Sequence, residues 1–198
     1  MMRDTTAERA SPRFFLAYPL RGEAAAWHRR LTAWVAARCG IADVARRVPP
    51  HVTAVPPFAA PSEATAWEWG REAAGRLLPL VGRVGGFGVF AAAGHGGGGV
   101  LYAAVRGAHL EEASVAVVRA QKYVARRTAP AWRPRPWTPH ATVAYGTRAY
   151  SAGALRRLLL EEMPEARRTF PLEISEAALY RKEAPSAPWR AACRFRLE

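Results

Sequence analysis

Apolar residues fall along this chain in short runs and in helical stripes, and the two alternate. Phe14 to Leu20 (FFLAYPL) is a nearly unbroken apolar run of strand length. From Glu23 to Arg38, Trp27, Leu31, Trp34 and Val35 recur at spacings of four, seven and eight, which predicts an amphipathic helix. Pro49 and Pro50 stop it before a short strand, His51 to Val55, which Pro56 and Pro57 close. Ser62 is placed to cap a helix carrying Trp67, Ala74, Leu77 and Leu78 on one face, and a strand over Val84 to Ala91 follows. After a glycine loop the order repeats. A strand spans Val100 to Arg106, and a helix Leu110 to Val124 buries Leu110, Ala113, Val117 and Val124. The proline-rich stretch Pro134 to Pro139 leads to a strand His140 to Tyr145, then a helix Ser151 to Met163 with Leu155, Leu158, Leu159 and Met163 inward. Phe170 to Tyr180 and Trp189 to Leu197 read as the last strands.

The second half therefore copies the first. PHVTAV at 50–55 matches PHATVA at 139–144; His51 follows Phe14 of its unit's first strand by 37 residues, and His140 follows Leu101 of its own by 39. A period this long describes a two-unit duplication rather than a solenoid. The expected fold is α+β and bilobal. Two strand-helix-strand-helix-strand units, about 14–93 and 100–183, are related by a pseudo-twofold axis, with antiparallel-rich sheets and a cleft between lobes. Residues 1–11 are polar and expected to form a flexible terminus, leaving 12–198 as one domain.

Composition narrows the class. The 198 residues are 50% hydrophobic and 23% charged, which suits a chain that buries a core. The net charge is +13, which favours polyanionic partners. All but two of the 29 basic residues are arginine, and Ala, Arg, Gly and Pro fill half the chain, so G/C-rich codon usage accounts for part of this charge. No apolar run approaches a membrane span, and the start (MMRDTTAERASP) does not read as a secretory signal. Cys39 and Cys193 stand far apart and alone, too few for a disulfide framework or a zinc site. The expectation is a cytoplasmic, reduced monomer with no membrane partner.

The chemistry sits in His51-Val52-Thr53 and His140-Ala141-Thr142. Strand side chains alternate, so His and Thr at i and i+2 share a face while Val52 and Ala141 face the core. Two such strands meeting across a cleft offer two imidazoles and two hydroxyls. One neutral imidazole can take a proton from a nucleophile while the other, protonated, gives one to a leaving oxygen. The hydroxyls of Thr53 and Thr142 can hydrogen-bond the non-bridging oxygens of a phosphoryl group. One His-x-Thr alone would be ordinary. A pair, each behind a proline and each in the same place of a repeat, is specific.

The flanks VPPHVTAVPPF and WTPHATVAYG resemble the two-histidine (2H) phosphoesterase superfamily, closest to bacterial proteins named 2'-5' RNA ligase or RNA 2',3'-cyclic phosphodiesterase. The resemblance covers roughly Phe14 to Leu197, and Ala54 stands where the family pattern has a larger apolar residue. It implies opening of 2',3'-cyclic phosphate ends of RNA or nucleotides to a 2'-phosphate, with 2'-5' ligation by some members. It further implies His51 as proton donor to the leaving 3' oxygen, His140 as activator of water, Thr53 and Thr142 on the phosphate, and no metal or other cofactor. The motif is symmetric, so its spacing does not order the two roles.

Other residues are weighed more lightly. The loop Gly94 to Gly99 with His95 reads as a hairpin connection, not a nucleotide loop; His28 reads as solvated, and His109 as incidental at the start of a helix. Arg46, Arg47, Arg133 and Arg135 precede the two motifs and could place charge at the cleft lips; Arg148 is a weaker candidate. Trp132 and Trp137 are loop candidates for substrate contact, and Phe58 reads as core. Tyr145 belongs in the core by alternation unless a bulge intervenes. Three rival readings stay open: a small-molecule cyclic nucleotide or ADP-ribose cyclic phosphate hydrolase, a non-catalytic basic RNA-binding module, and a metal site built on His51 and His140.

Overall fold

The computed structural model describes residues 12–91, 98–128 and 132–198. The expected flexible terminus, 1–11, and most of the glycine loop with His95 lie outside them. The first half contains β1 (Arg13–Pro19), α1 (Gly22–Cys39), a short α2 (Val44–Arg47), β2 (His51–Ala59), α3 (Glu63–Ala74) and β3 (Leu80–Phe90). The second contains β4 (Val100–Arg106), α4 (Leu110–Thr128), β5 (His140–Tyr145), α5 (Ala152–Glu162), a 3₁₀ turn at Pro164–Arg167, β6 (Thr169–Ile174), β7 (Glu176–Lys182) and β8 (Arg190–Arg196). Ser62 and Ser151 open α3 and α5, each hydroxyl accepting from the backbone N–H three residues on, at 3.1 and 3.2 Å.

The strands form two four-stranded antiparallel sheets, β2-β1-β7-β8 and β5-β4-β3-β6. Each sheet draws on both halves of the chain: β7 pairs onto β1 with β8 beyond it, and β3 pairs onto β4. The helices are exchanged as well, α4 packing on β2 and α1 on β5. Phe170 to Tyr180 is not one strand. It breaks at Ser175, whose carbonyl accepts from Leu197 N at 2.9 Å, and β6 and β7 enter different sheets. Burial explains the break. Phe170, Leu172 and Ile174 alternate with exposed residues, as an edge strand with one covered face requires, whereas Ala177 to Tyr180 are all buried. β1 is covered on both faces too. Phe14, Leu16 and Tyr18 face the main core, and Phe15 and Ala17 join Ala178 and Tyr180 in a second cluster on the other side of the sheet.

Three expectations need correction. α3 buries Ala66, Gly70, Ala73 and Ala74, leaving Trp67 52% and Leu78 40% exposed. Small residues let this helix lie close to the sheet, with Gly70 against Leu179. β2 runs through Pro56 and Pro57 to Ala59, because an edge strand tolerates residues without an N–H where the ladder bulges opposite Phe15. Tyr145 is 55% exposed: a register shift between Leu101 and Tyr102 rephases β5, so Val143 and Ala144 are both buried and Tyr145 turns outward.

Candidate active site

β2 and β5 are edge strands of different sheets, and they pack against each other. Alternation then sorts their side chains. Val52, Ala54 and Ala141 are fully buried, and Val143 nearly so, while His51, Thr53, His140 and Thr142 are half-buried on the other face. The structure thus brings together the four residues singled out by pattern.

Both imidazoles are held in the same way. His51 Nδ1 lies 2.7 Å from the Pro49 carbonyl and His140 Nδ1 lies 2.7 Å from the Thr138 carbonyl, each two residues back. A carbonyl only accepts, so each Nδ1–H donates, and in the neutral ring Nε2 is left bare as a base. On the first strand the Thr53 hydroxyl donates to His51 Nε2 at 3.1 Å.

Their beds differ. The His51 ring lies against Phe15 and Tyr180, with centroids 4.9 and 5.9 Å away, and Phe15 stacks on Tyr180 and meets Trp189 edge-on. The His140 ring lies against Phe90 and Tyr102, at 4.9 and 5.2 Å. Gly88 makes the second bed possible. It sits opposite Tyr102 in the ladder, and a Cβ there would overlap the Tyr102 ring. A bulge at Gly85 and Gly86, with φ of 152° and 67°, rephases β3 so that Phe87 faces the core and Gly88 and Phe90 face His140.

Burial pushes the pKa of His51 down to about 4, against a partial rise from the Pro49 hydrogen bond, and nearby His140 adds to the depression. His140 is also lowered, by burial first and by Arg135. Near neutral pH both rings are therefore uncharged: two bases and no acid until a negative charge arrives between them.

Unpaired edge strands leave backbone carbonyls without ladder partners, and side chains supply the donors. On β2, Trp137 Nε1 donates to Thr53 O at 2.7 Å, Gln121 Nε2 to Ala54 O at 2.9 Å, and Trp132 Nε1 to Pro57 O at 2.9 Å. On β5, His28 Nε2 donates to Thr142 O at 2.9 Å. These contacts correct two sequence expectations. Trp132 and Trp137 brace the first His strand and pack on the core instead of standing free in a loop. His28 is 2% exposed, not solvated, and burial pushes its pKa down to about 4. Gln121 is not among the residues the motifs point to. Its only advance signal is position, a polar residue on the apolar stripe of α4.

The arginines divide. Arg135 is close enough to His140 to add to the lowering of its pKa, and the pKa of Lys182 is lowered by burial first and then by Arg13 and Arg47; its ammonium lies 5.2 Å from the Trp189 ring centre. Arg46 pairs with Asp43 at 3.6 Å and points into solvent, while Arg133 and Arg148 are exposed. Among the described residues no three His, Cys, Asp or Glu side chains gather as a metal site would need, and no helix is long and apolar enough to cross a membrane.

Two antiparallel sheets meeting at paired His-bearing edges are the architecture of a two-histidine phosphoesterase. A family model described as the 2'-5' RNA ligase superfamily matches residues 21–185, and the chain belongs to that family. Solved structures agree on the fold. TT0787 of Thermus thermophilus has a TM-score of 0.58 at 19% identity, covering 93% of this chain and 97% of its own. Escherichia coli LigT complexed with 3'-AMP has a TM-score of 0.57 at 18% identity, covering 94% and 99%. LigT complexed with NADP+ has a TM-score of 0.53 at 17% identity, with the same coverage. Among curated proteins, none matches the sequence significantly.

Proposed function

We propose that this chain is a phosphodiesterase that opens 2',3'-cyclic phosphate ends of RNA or nucleotides to a 2'-phosphate, with His51 and His140 as the acid–base pair. The observation that carries this reading is the matched pair of imidazoles, each tied by Nδ1 to the carbonyl two residues back, with the Thr53 hydroxyl on His51 Nε2. The nucleotides named in two LigT complexes are in keeping with a nucleotide ligand.

In the proposed reaction the anionic phosphodiester enters between two neutral rings and raises the proton affinity of both. His51, enclosed by Phe15 and Tyr180, takes up a proton there. Because its environment disfavours charge, it gives that proton up readily and serves as the acid. Protonation of Nε2 also removes the acceptor for the Thr53 hydroxyl, freeing that O–H for a non-bridging phosphate oxygen. His140 Nε2 takes a proton from water as the water oxygen bonds to phosphorus. The bond from phosphorus to O3' breaks, and His51 supplies the proton to O3'. One proton has then moved from His51 to His140, and exchange with solvent resets the pair. Thr142 holds the second non-bridging oxygen. A 2'-5' ligation would be the same step in the same direction, with a 5' hydroxyl in place of water bonding to phosphorus as the bond to O3' breaks.

The test is a short RNA ending in a 2',3'-cyclic phosphate, incubated with excess EDTA, with the product phosphate located by chromatography against 2'- and 3'-phosphate standards. The expected result is a 2'-phosphate from the wild type and none from His51→Ala or His140→Ala. Folded wild type that leaves both this RNA and 2',3'-cyclic mononucleotides intact would overturn the reading.

A further inference from the structure

Away from the His pair, the outer face of α4 carries a basic concavity with no part in the chemistry above. Arg76, Arg119, Lys122, Tyr123, Arg126 and Arg127 line a hollow of about 230 Å³. Tyr123 forms its centre, with the guanidinium carbons of Arg76 and Arg127 lying 4.1 and 3.7 Å from the ring centre. Of the five cations only Arg76 pairs with a carboxylate among the described residues, Glu72 at 3.3 Å. Basic residues in the last turn of a helix are ordinary partners of its dipole, which accounts for Arg126 and Arg127. It does not account for Arg119 and Lys122 in the body of the helix, nor for Arg76 arriving from the end of α3. Gathering five positive groups costs self-repulsion, which a bound polyanion relieves.

We infer that this face is a docking site for the phosphodiester backbone of a nucleic-acid strand. Arg119, Lys122 and Arg126 follow one ridge of α4, about 10 Å long, which spans roughly three phosphates of one strand. The exposed guanidinium forks suit phosphate oxygens. The site lies beside the far end of the His51 strand: Trp132, just beyond α4, bonds the carbonyl of Pro57. Six residues of strand separate His51 from Pro57, about 20 Å, or some six nucleotides. A 2',3'-cyclic mononucleotide bound at the His pair cannot reach it, whereas an RNA of about eight nucleotides or more can. The inference rests on the reading of the His pair as an RNA-end site.

The experiment measures fluorescence-anisotropy binding of a labelled RNA 12-mer with an ordinary 3' hydroxyl, so that it needs no turnover. Wild type is compared with the triple variant Arg119→Ala, Lys122→Ala, Arg126→Ala and with the single Arg119→Glu, each checked by thermal melting. The triple variant is expected to bind at least tenfold more weakly at low salt, with a logarithmic salt dependence shallower by about 2. Opening of a 2',3'-cyclic mononucleotide should be unchanged in both. Equal binding by wild type and both folded variants would overturn the inference, as would failure of wild type to bind. Competition by polyglutamate as effective as by unlabelled RNA would also overturn it, in favour of an acidic polypeptide. If the mononucleotide is not opened by any of the proteins while RNA binding depends on α4, the docking site stands and the cyclic-phosphate reading falls.

Discussion

The two half-sites share a design at the level of the strand and part company around it. Both imidazoles are locked through Nδ1 to a carbonyl two residues back, because both strands start with the same Pro-His turn into an edge strand. His51 then sits on a Phe15–Tyr180 stack with its Nε2 engaged by Thr53. His140 sits on Phe90 and Tyr102, with the Arg135 charge nearby. Local geometry, which gives each ring its tautomer and direction, comes from the repeated motif. Proton affinity comes from neighbours the repeat does not copy. A duplication can thus keep one local geometry twice and still surround its two imidazoles with different neighbours.

The sharpest way to break this comparison is to make the leaving group indifferent to protonation. Either His→Ala change should lower turnover of a cyclic phosphate by roughly 10²–10⁴-fold. On a nucleotide p-nitrophenyl ester, whose leaving oxygen needs no acid, His51→Ala should recover most of its rate and His140→Ala should not. Equal rescue of both would show that the half-sites do not differ in role.

The threonines test the asymmetry next. Thr53→Val and Thr142→Val should each lower the rate, by about 10²–10³-fold, on losing a donor to the phosphate. Only Thr53→Val also removes a hydrogen bond that favours neutral His51, so in NMR titrations the His51 pKa should rise from about 4 in that variant alone.

Gly88→Ala probes the second half-site by itself. The added methyl displaces Tyr102 at a cost of about 1–3 kcal/mol. The displacement should move the His140 ring resonances in an NMR spectrum and leave those of His51 in place.

His28 tests the frame that both half-sites share, through stability and not through turnover. Its pKa in the fold is about 4, below the ordinary histidine value of 6.5. Between those values the unfolded chain takes up a proton there and the folded chain does not, so stability present above pH 6.5 is lost as pH falls toward 4. His28→Gln, which keeps a donor for Thr142 O, should remove up to about 3 kcal/mol of that loss between pH 7 and 4 in urea titrations. An unchanged pH slope would show that His28 is not the buried neutral ring described.

Much of this was legible in the sequence because it is local. The FFLAYPL run, the Trp27–Leu31–Val35 stripe, the serine caps and the two His-x-Thr strands report on their own neighbourhoods. So does the face on which His51, Thr53, His140 and Thr142 stand. What escaped depends on distant partners. Nothing near Ser175 announces that the chain changes sheets there beyond a change from alternating to continuous burial. Gln121, Trp137 and His28 look unremarkable until the strands they brace are beside them. Gly88 acquires a meaning only when Tyr102 lies across it, and the rotation of α3 away from Trp67 follows from how closely it must approach Leu179.

The pairing of Arg13 with Lys182 has a consequence for the order in which this protein can assemble during synthesis. The sheet that carries His140 uses β3 to β6 and has all its strands once Ile174 has emerged. The sheet that carries His51 includes β1, which is made before β3 to β6, yet it lacks two of its four strands until β7 and β8 follow. β1, apolar on both faces, must therefore wait for β7 to be made, and closing so long a loop is slow. The half of the site translated first is the half completed last.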